Sequence, residues 1–136
     1  MKKINITITG ALGKMGKILI KKILSNKNLK LISATDTKIK KIFKNFKTQK
    51  NSLNAFKKTD VIIDFSRPSA SLKVLNFAKK LKKRIIIGTT GFSKKQNSLI
   101  NNYSKTNQSH SNYKVLNINN LLKVINNFKF KFVFVE

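Results

Sequence analysis

Ile4, Ile6 and Ile8 alternate with polar neighbours and run straight into Gly10-Ala11-Leu12-Gly13-Lys14-Met15-Gly16. From Lys14 to Leu24 the apolar residues Met15, Ile18, Leu19, Ile23 and Leu24 then recur at helical spacing, with Lys21 and Lys22 suited to the C-terminal end. A period of two that turns into a helical period across a glycine-rich turn leaves few architectures open. The pattern predicts a first strand feeding a helix through a phosphate-binding loop. Glycine permits the tight turn and lets backbone N–H groups approach phosphates. The helix start adds unpaired donors and a partial charge of about half a unit, which hold an anion without any cationic side chain. The spacing is G-x-x-G-x-x-G and not G-x-G-x-x-G, so a purely structural turn is the alternative reading.

The following segments repeat the alternation of strand and helix. Leu29 to Thr35 reads as a second strand ending at Asp36; Val61-Ile62-Ile63 and Ile85-Ile86-Ile87 are short continuous apolar runs, as expected of strands covered on both faces in a parallel sheet. Ser69 to Leu81 follows Pro68 as a helix, and Ser93 to Tyr103 as another with Ser93 as its cap. The lysine-rich stretch Lys38 to Lys58 is harder to read: Ile39, Ile42, Phe43 and Phe46 hint at an amphipathic helix, and a flap is the other expectation. The order implies an open parallel sheet with helices on both faces, which binds ligands at the carboxyl ends of its strands. The loops that matter are then those beginning at Gly10, Asp36 and Gly88. The chain turns polar from Thr106 to Asn112, where the main boundary is expected.

Asp36 stands twenty positions past Gly16, about where a carboxylate should accept hydrogen bonds from an adenosine ribose. Only four acidic residues are present, which makes that position informative; a turn-forming aspartate is the alternative. Lys38, two residues on, could neutralise a 2'-phosphate, so NADPH as well as NADH is open. Gly88 allows close backbone approach, and the hydroxyls of Thr89 and Thr90 can bond a carboxamide; an ordinary helix-capping turn is the alternative. Asp64 and Arg67 read as a strand-end cap and a solvated cation, and neither is given a catalytic role.

The 30 basic against 4 acidic side chains leave a net charge of +26. Such a charge attracts polyanions whatever the fold, so weak non-specific polyanion binding is expected. The positive charge is nearly all Lys, with Arg only at 67 and 84, and is spread along the chain. A base-reading surface favours clustered arginine, so no specific nucleic-acid partner is expected. With no cysteine and a single histidine there is no disulfide framework and no thiolate metal site. No run approaches the roughly 18 apolar residues of a membrane span, and MKKINITITG lacks the apolar stretch of a signal peptide, so a cytoplasmic protein without membrane attachment is expected.

Asp64-Phe65-Ser66-Arg67-Pro68 and Gly88-Thr89-Thr90-Gly91-Phe92 resemble the D-F-[ST]-x-P and G-T-T-G motifs of the dihydrodipicolinate reductases, and the glycine loop with Met15 before its last glycine matches that family in spacing. The likeness runs over residues 1 to about 104. It implies hydride transfer from NADH or NADPH to a small cyclic dicarboxylate, dihydrodipicolinate, on the route to diaminopimelate and lysine. It also implies a homotetramer, with assembly here in doubt. Gly10, Ala11, Leu12, Gly13, Lys14 and Met15 would hold the pyrophosphate, Asp36 the ribose, and Gly88, Thr89 and Thr90 the nicotinamide end. The expected fold class is α/β, a Rossmann-like doubly wound parallel sheet in residues 1–110. Residues 111–136 would form an interdomain segment and only the start of a second, α+β substrate domain.

Beyond Tyr103 the likeness weakens. Leu116 to Lys123 resembles the family's N-x-S-x-G-V-N-x-x-L-K stretch with Asn117 in place of glycine, and Asn112-Tyr113 only partly matches its Asn-Phe-Ser contact. Phe128, Phe130, Phe132 and Phe134 alternate as in a strand, which by resemblance opens the substrate domain and here would be an unpaired edge. The family's His-His-x-x-Lys motif is absent, and His110 in its polar segment reads as a surface residue. No catalytic residue is therefore assigned. The expectation is a truncated or degenerate reductase able to bind nucleotide and poorly able to catalyse alone. The competing expectations are a nicotinamide nucleotide-binding module without catalysis and a basic nucleic-acid-binding protein.

Overall fold

Isoleucine alternation explains how this sheet is built, because it supplies apolar side chains to both faces at once. In the computed structural model, which describes residues 2–106, 114–116 and 132–135, the central strands are β1 (Ile4–Thr9), β2 (Leu29–Thr35), β5 (Val61–Asp64) and β6 (Arg84–Ile87). With β8 (Phe132–Val135) and β7 (Lys114–Leu116) they form one parallel sheet of order β2-β1-β5-β6-β8-β7. Ile6, Ile8, Val61, Ile63 and Ile86 point to one face and pack with Leu19, Ile20 and Ile23 of helix α1 (Lys14–Leu24). Their neighbours Ile62, Ile85 and Ile87 point to the other face. There they meet Val74, Leu75 and Ala78 of α3 (Pro68–Leu81), Ile100 of α4 (Lys94–Thr106) and Phe56 of the short α2 (Leu53–Phe56). A one-residue slip in any strand would exchange the two sets, so the pattern fixes the register.

The sequence-predicted strands and long helices are found within one to three residues of their expected ends. Pro68 occupies the first turn of α3, where its missing N–H costs nothing. Ser93 caps α4 as expected: its hydroxyl accepts from the Gln96 N–H at 3.1 Å while the Gln96 side chain accepts from the Ser93 N–H at 2.8 Å.

Two expectations are corrected. The residues Ile39, Ile42, Phe43 and Phe46 of the 38–58 stretch do not form an amphipathic helix. The stretch makes an antiparallel hairpin of β3 (Lys41–Phe43) and β4 (Phe46–Lys47), followed by α2. Lys44 takes the left-handed conformation at the turn (φ 43°), which brings Phe43 and Phe46 face to face with centroids 5.0 Å apart. Ring stacking across the turn and packing of Ile42, Phe43 and Phe46 against the α1-side core replace the helical stripe, and Ile39 is left 63% exposed. The terminal strand is not an unpaired edge either. Phe132–Val135 lies between β6 and β7, with Ile86 opposite Val133 and Val115 opposite Phe134. Its expected upstream part from Phe128, the Asn117 stretch, Asn112-Tyr113 and His110 lie outside the described residues.

Candidate dinucleotide site

The chain runs from β1 to β2 on one side of β1, then crosses to β5 on the other, so the sheet changes winding direction between β1 and β5. In open α/β sheets the crevice above such a point, at the carboxyl ends of the strands, is where ligands bind. The turn after β1, the end of β2 and the loops after β5 and β6 all border it.

Gly10 opens the first turn in a left-handed conformation (φ 69°), and a Cβ there would lie 2.1 Å from the Phe65 carbonyl oxygen. The turn after β1 is thus seated directly on the loop after β5. Gly16 serves a different contact: a Cβ at that position would stand 2.3 Å from the Gly10 carbonyl oxygen, so only glycine lets α1 begin this close to the turn. The amides inside the turn are already engaged. Ala11 N–H donates to the Thr35 carbonyl (3.1 Å), Leu12 N–H to Asp36 Oδ2 (2.9 Å) and Gly13 N–H to the Gly10 carbonyl (3.1 Å).

The first amide with a helical partner is Lys17, donating to Gly13 at 3.0 Å, and Gly13 has no side chain to cap the helix. The N–H groups of Lys14, Met15 and Gly16 therefore have no carbonyl one turn back and no capping oxygen. Of the loop residues singled out in the sequence, Gly10, Ala11, Leu12 and Gly13 shape the turn, while Lys14 and Met15 carry open donors. Gly16 joins them although it was read only as part of the motif.

Asp36 sits half-buried beside this helix start. Oδ2 accepts from Leu12, and Oδ1 from Thr37 N–H at 2.7 Å and from the Thr37 hydroxyl at 3.3 Å. A carboxylate has about four acceptor positions, so these three bonds, one of them long, leave capacity for a further hydroxyl donor. The turn-forming role and an accepting role thus coexist in one side chain. Lys38, exposed just beyond, is on a loop pinned by Thr48, whose hydroxyl donates to the Lys38 carbonyl at 2.7 Å and accepts from Lys40 N–H at 2.8 Å.

At the loop after β6 the geometry departs from the sequence reading. The open side of Gly88 is filled by the Phe65 ring, whose Cε1 and Cζ would both lie 2.2 Å from a Cβ, so it is Phe65 that needs the close approach. Thr89 is 7% exposed, and its hydroxyl oxygen accepts from Ser66 N–H (2.9 Å) and lies 2.8 Å from Ser71 Oγ and 3.2 Å from Asp64 Oδ2. Its side chain is taken up inside the protein and not offered to a carboxamide. Thr90 is exposed. The helix-capping alternative for both threonines falls away, since Ser93 and Gln96 perform that task.

Sequence reasoning also missed the group at the centre of this region. Asp64, 0% exposed, accepts from Ser66 Oγ at 2.6 Å and is also hydrogen-bonded by the hydroxyls of Thr9 and Ser71. The available signal was a hydroxyl residue at the end of each neighbouring strand or loop: Thr9, Ser66, Ser71 and Thr89. Among the described residues no cluster of metal-ligating side chains is present, and no helix is long and apolar enough to cross a membrane.

Known proteins resemble this chain over most of its length. The family model described as "Dihydrodipicolinate reductase, N-terminus" matches residues 4–120. The chain belongs to this family. The 4-hydroxy-tetrahydrodipicolinate reductase of Pelagibacter ubique is 52% identical over 107 residues, covering 78% of this chain and 42% of the relative. The enzyme of that name from Buchnera aphidicola subsp. Cinara cedri is 44% identical over 116 residues, covering 76% and 42%. The chain thus spans about two fifths of the length of these reductases. A solved structure of dipicolinate-bound dihydrodipicolinate reductase from Paenisporosarcina sp. TG-14 superposes with a TM-score of 0.67 at 22% identity, over 85% of this chain and 48% of that one. The Rossmann-like fold expected for the dihydrodipicolinate reductase N-terminal family is therefore the fold found.

Proposed function

We propose that residues 1–110 hold NADH or NADPH, and that the protein thereby takes part in the cytoplasmic reduction of 4-hydroxy-tetrahydrodipicolinate, a small cyclic dicarboxylate, to tetrahydrodipicolinate on the diaminopimelate and lysine route. One observation carries the reading: the uncapped start of α1, with the amides of Lys14, Met15 and Gly16 open, lies beside the Asp36 carboxylate. Those amides suit a diphosphate, which needs several donors and gains from the positive end of the helix. Asp36 suits the hydroxyls of an adenosine ribose, for which it acts purely as an acceptor. With the adenosine side at β2 and the diphosphate at α1, the second nucleoside of a dinucleotide falls toward β5 and β6, over Ser66, Gly88 and Thr90.

The coenzyme, when bound, supplies the hydride. What this chain's own residues supply is binding and orientation. Reduction of a dicarboxylate also needs cations for the substrate and a group that delivers a proton. No catalytic residue is assigned, and we propose that this chain contributes the coenzyme half of the reaction.

Isothermal titration calorimetry of the full chain with NADH and NADPH tests the proposal. Saturable 1:1 heat that falls sharply in Asp36→Ala is the expected result, and absence of heat from folded protein with both coenzymes overturns it.

A further inference from the structure

We infer that the buried Asp64 carboxylate and the Thr89 hydroxyl act together as a positioning device that fixes the loop after β6 for the nicotinamide half of the coenzyme. The inference rests on the dinucleotide reading above.

Asp64 ends β5, the strand between β1 and β6, and so stands at the middle of the crevice floor. Its two oxygens gather hydroxyls from every neighbouring segment: Thr9 from the end of β1, Ser66 from the loop after β5, Ser71 from the first turn of α3 and Thr89 from the loop after β6. Ser71, like Asp64, is fully buried. The Thr89 oxygen accepts from Ser66 N–H, a donor that cannot reverse, and its hydroxyl is directed to Asp64 Oδ2 at 3.2 Å. Thr9 and Ser66 address Oδ1, and Ser71 and Thr89 address Oδ2.

The segments do not depend on this carboxylate equally. Thr9 is already paired on both sides, with Thr35 of β2 and Asp64 of β5, and the glycine turn has its own backbone bonds from Ala11, Gly13 and Phe65. Residues 88–93 belong to no helix or strand, and Gly91 there has φ 86°. That loop is tied to the crevice floor by the Gly88 N–H to the Asp64 carbonyl, at 2.8 Å, and by the bonds of the Thr89 side chain. Removing the Thr89 hydroxyl releases the loop and spares the turn. The device therefore acts on one half of a dinucleotide and not on the other.

Calorimetry with two ligands of equal charge reads that asymmetry. NADH and ADP-ribose carry the same diphosphate and adenosine, so general attraction to a +26 chain cancels between them. In the full-length chain, Thr89→Val is expected to weaken NADH about tenfold, equivalent to one lost hydrogen-bond tether, and to leave ADP-ribose within about twofold. Thr89→Ser, which keeps the hydroxyl, restores NADH affinity, and Asp64→Asn behaves as Thr89→Val does. Equal losses for both ligands would mark the network as a general structural element and overturn the inference, as would undiminished NADH binding in Thr89→Val. If Asp64→Asn does not fold, the valine and serine variants decide the matter. A wild-type chain that binds neither ligand overturns the dinucleotide reading and this inference with it; one that binds both, with no NADH-specific loss in the variants, overturns this inference alone.

Discussion

Gly16→Ala sets two effects of opposite sign against each other. In an unconstrained helix the change stabilises by about 1 kcal/mol, because alanine loses less backbone freedom on folding than glycine. Here the new Cβ would stand 2.3 Å from the Gly10 carbonyl oxygen, 2.8 Å from Ala11 Cα and 2.9 Å from the Ala11 carbonyl carbon. All three are backbone atoms, and the turn that carries them is anchored by the Ala11 and Gly13 hydrogen bonds, so no side chain can rotate out of the way. Reaching an ordinary non-bonded separation of about 3.5 Å requires a shift of about 1 Å between helix and turn. Overpacking costs about 1–3 kcal/mol, and with both partners fixed the upper end applies. Setting the helical gain against it leaves a net loss of about 2 kcal/mol, which lowers the urea midpoint by about 1 M. Urea unfolding followed by far-ultraviolet circular dichroism measures this. The same shift displaces the Lys14, Met15 and Gly16 amides, so NADH affinity should fall by at least about tenfold. A variant as stable as wild type, or more stable, would show that α1 does not begin against the turn and would refute the reasoning.

Gly13→Ser should separate stability from binding: residue 13 has extended φ and ψ and meets only the Gly10 oxygen at 3.3 Å, so a serine can cap the open amides. Thermal unfolding should show a gain of a few tenths of a kcal/mol, while calorimetry shows weaker NADH binding because the hydroxyl competes for the same donors. Thr7 is fully buried with its hydroxyl unpartnered; Thr7→Val should leave stability unchanged or raise it by about 1 kcal/mol in urea titration, and a loss of that size would argue against the burial. Phe56, fully buried and in tilted contact with the Phe77 ring at 5.6 Å, should cost about 3–5 kcal/mol when changed to Ala in the same assay. Binding to a polyanion such as heparin should weaken steeply as salt rises from low to physiological levels, with no preference among DNA sequences, as fluorescence anisotropy would report; a fixed sequence preference would point to a surface the lysine distribution does not provide.

The parts of this molecule that were legible in the sequence are those whose pattern has one physical interpretation. Alternating isoleucines ending in glycine can feed only a strand into a turn, and Val61-Ile62-Ile63 can be satisfied only by a strand covered on both sides. The hairpin at residues 41–47 was not legible because Ile39, Ile42, Phe43 and Phe46 fit a helical stripe equally well. What decides between the two is the Phe43–Phe46 stack and the left-handed Lys44, and neither has a local sequence signal in a lysine-rich run. At the site, Asp36 could be placed from its distance to the glycines. The Asp64 network could not, because its hydroxyl partners come from residues 9, 66, 71 and 89 and are assembled only by the parallel order of the strands. Thr89 was misread for that reason: its chemistry permits bonding to a carboxamide, but its position in the sheet gives the hydroxyl to Asp64.

The scarcity of acidic residues sharpens the argument. In a chain with 30 basic and 4 acidic side chains, each carboxylate stands against a strong compositional drift toward lysine. The three in the described residues all accept hydrogen bonds at the ends of strands: Asp36 from Leu12 and Thr37 amides after β2, Asp60 from the Asn5 amide at 2.8 Å before β5, and Asp64 from hydroxyls at the end of β5. A lysine ammonium has three donors and no acceptor, so it cannot replace any of these interactions. The diphosphate of the proposed site, by contrast, would be left to backbone amides, which any side-chain composition preserves as long as Gly10 and Gly16 keep the turn against the helix. In the proposed site, coenzyme binding therefore depends on two glycines, on the open amides they position and on the Asp36 carboxylate.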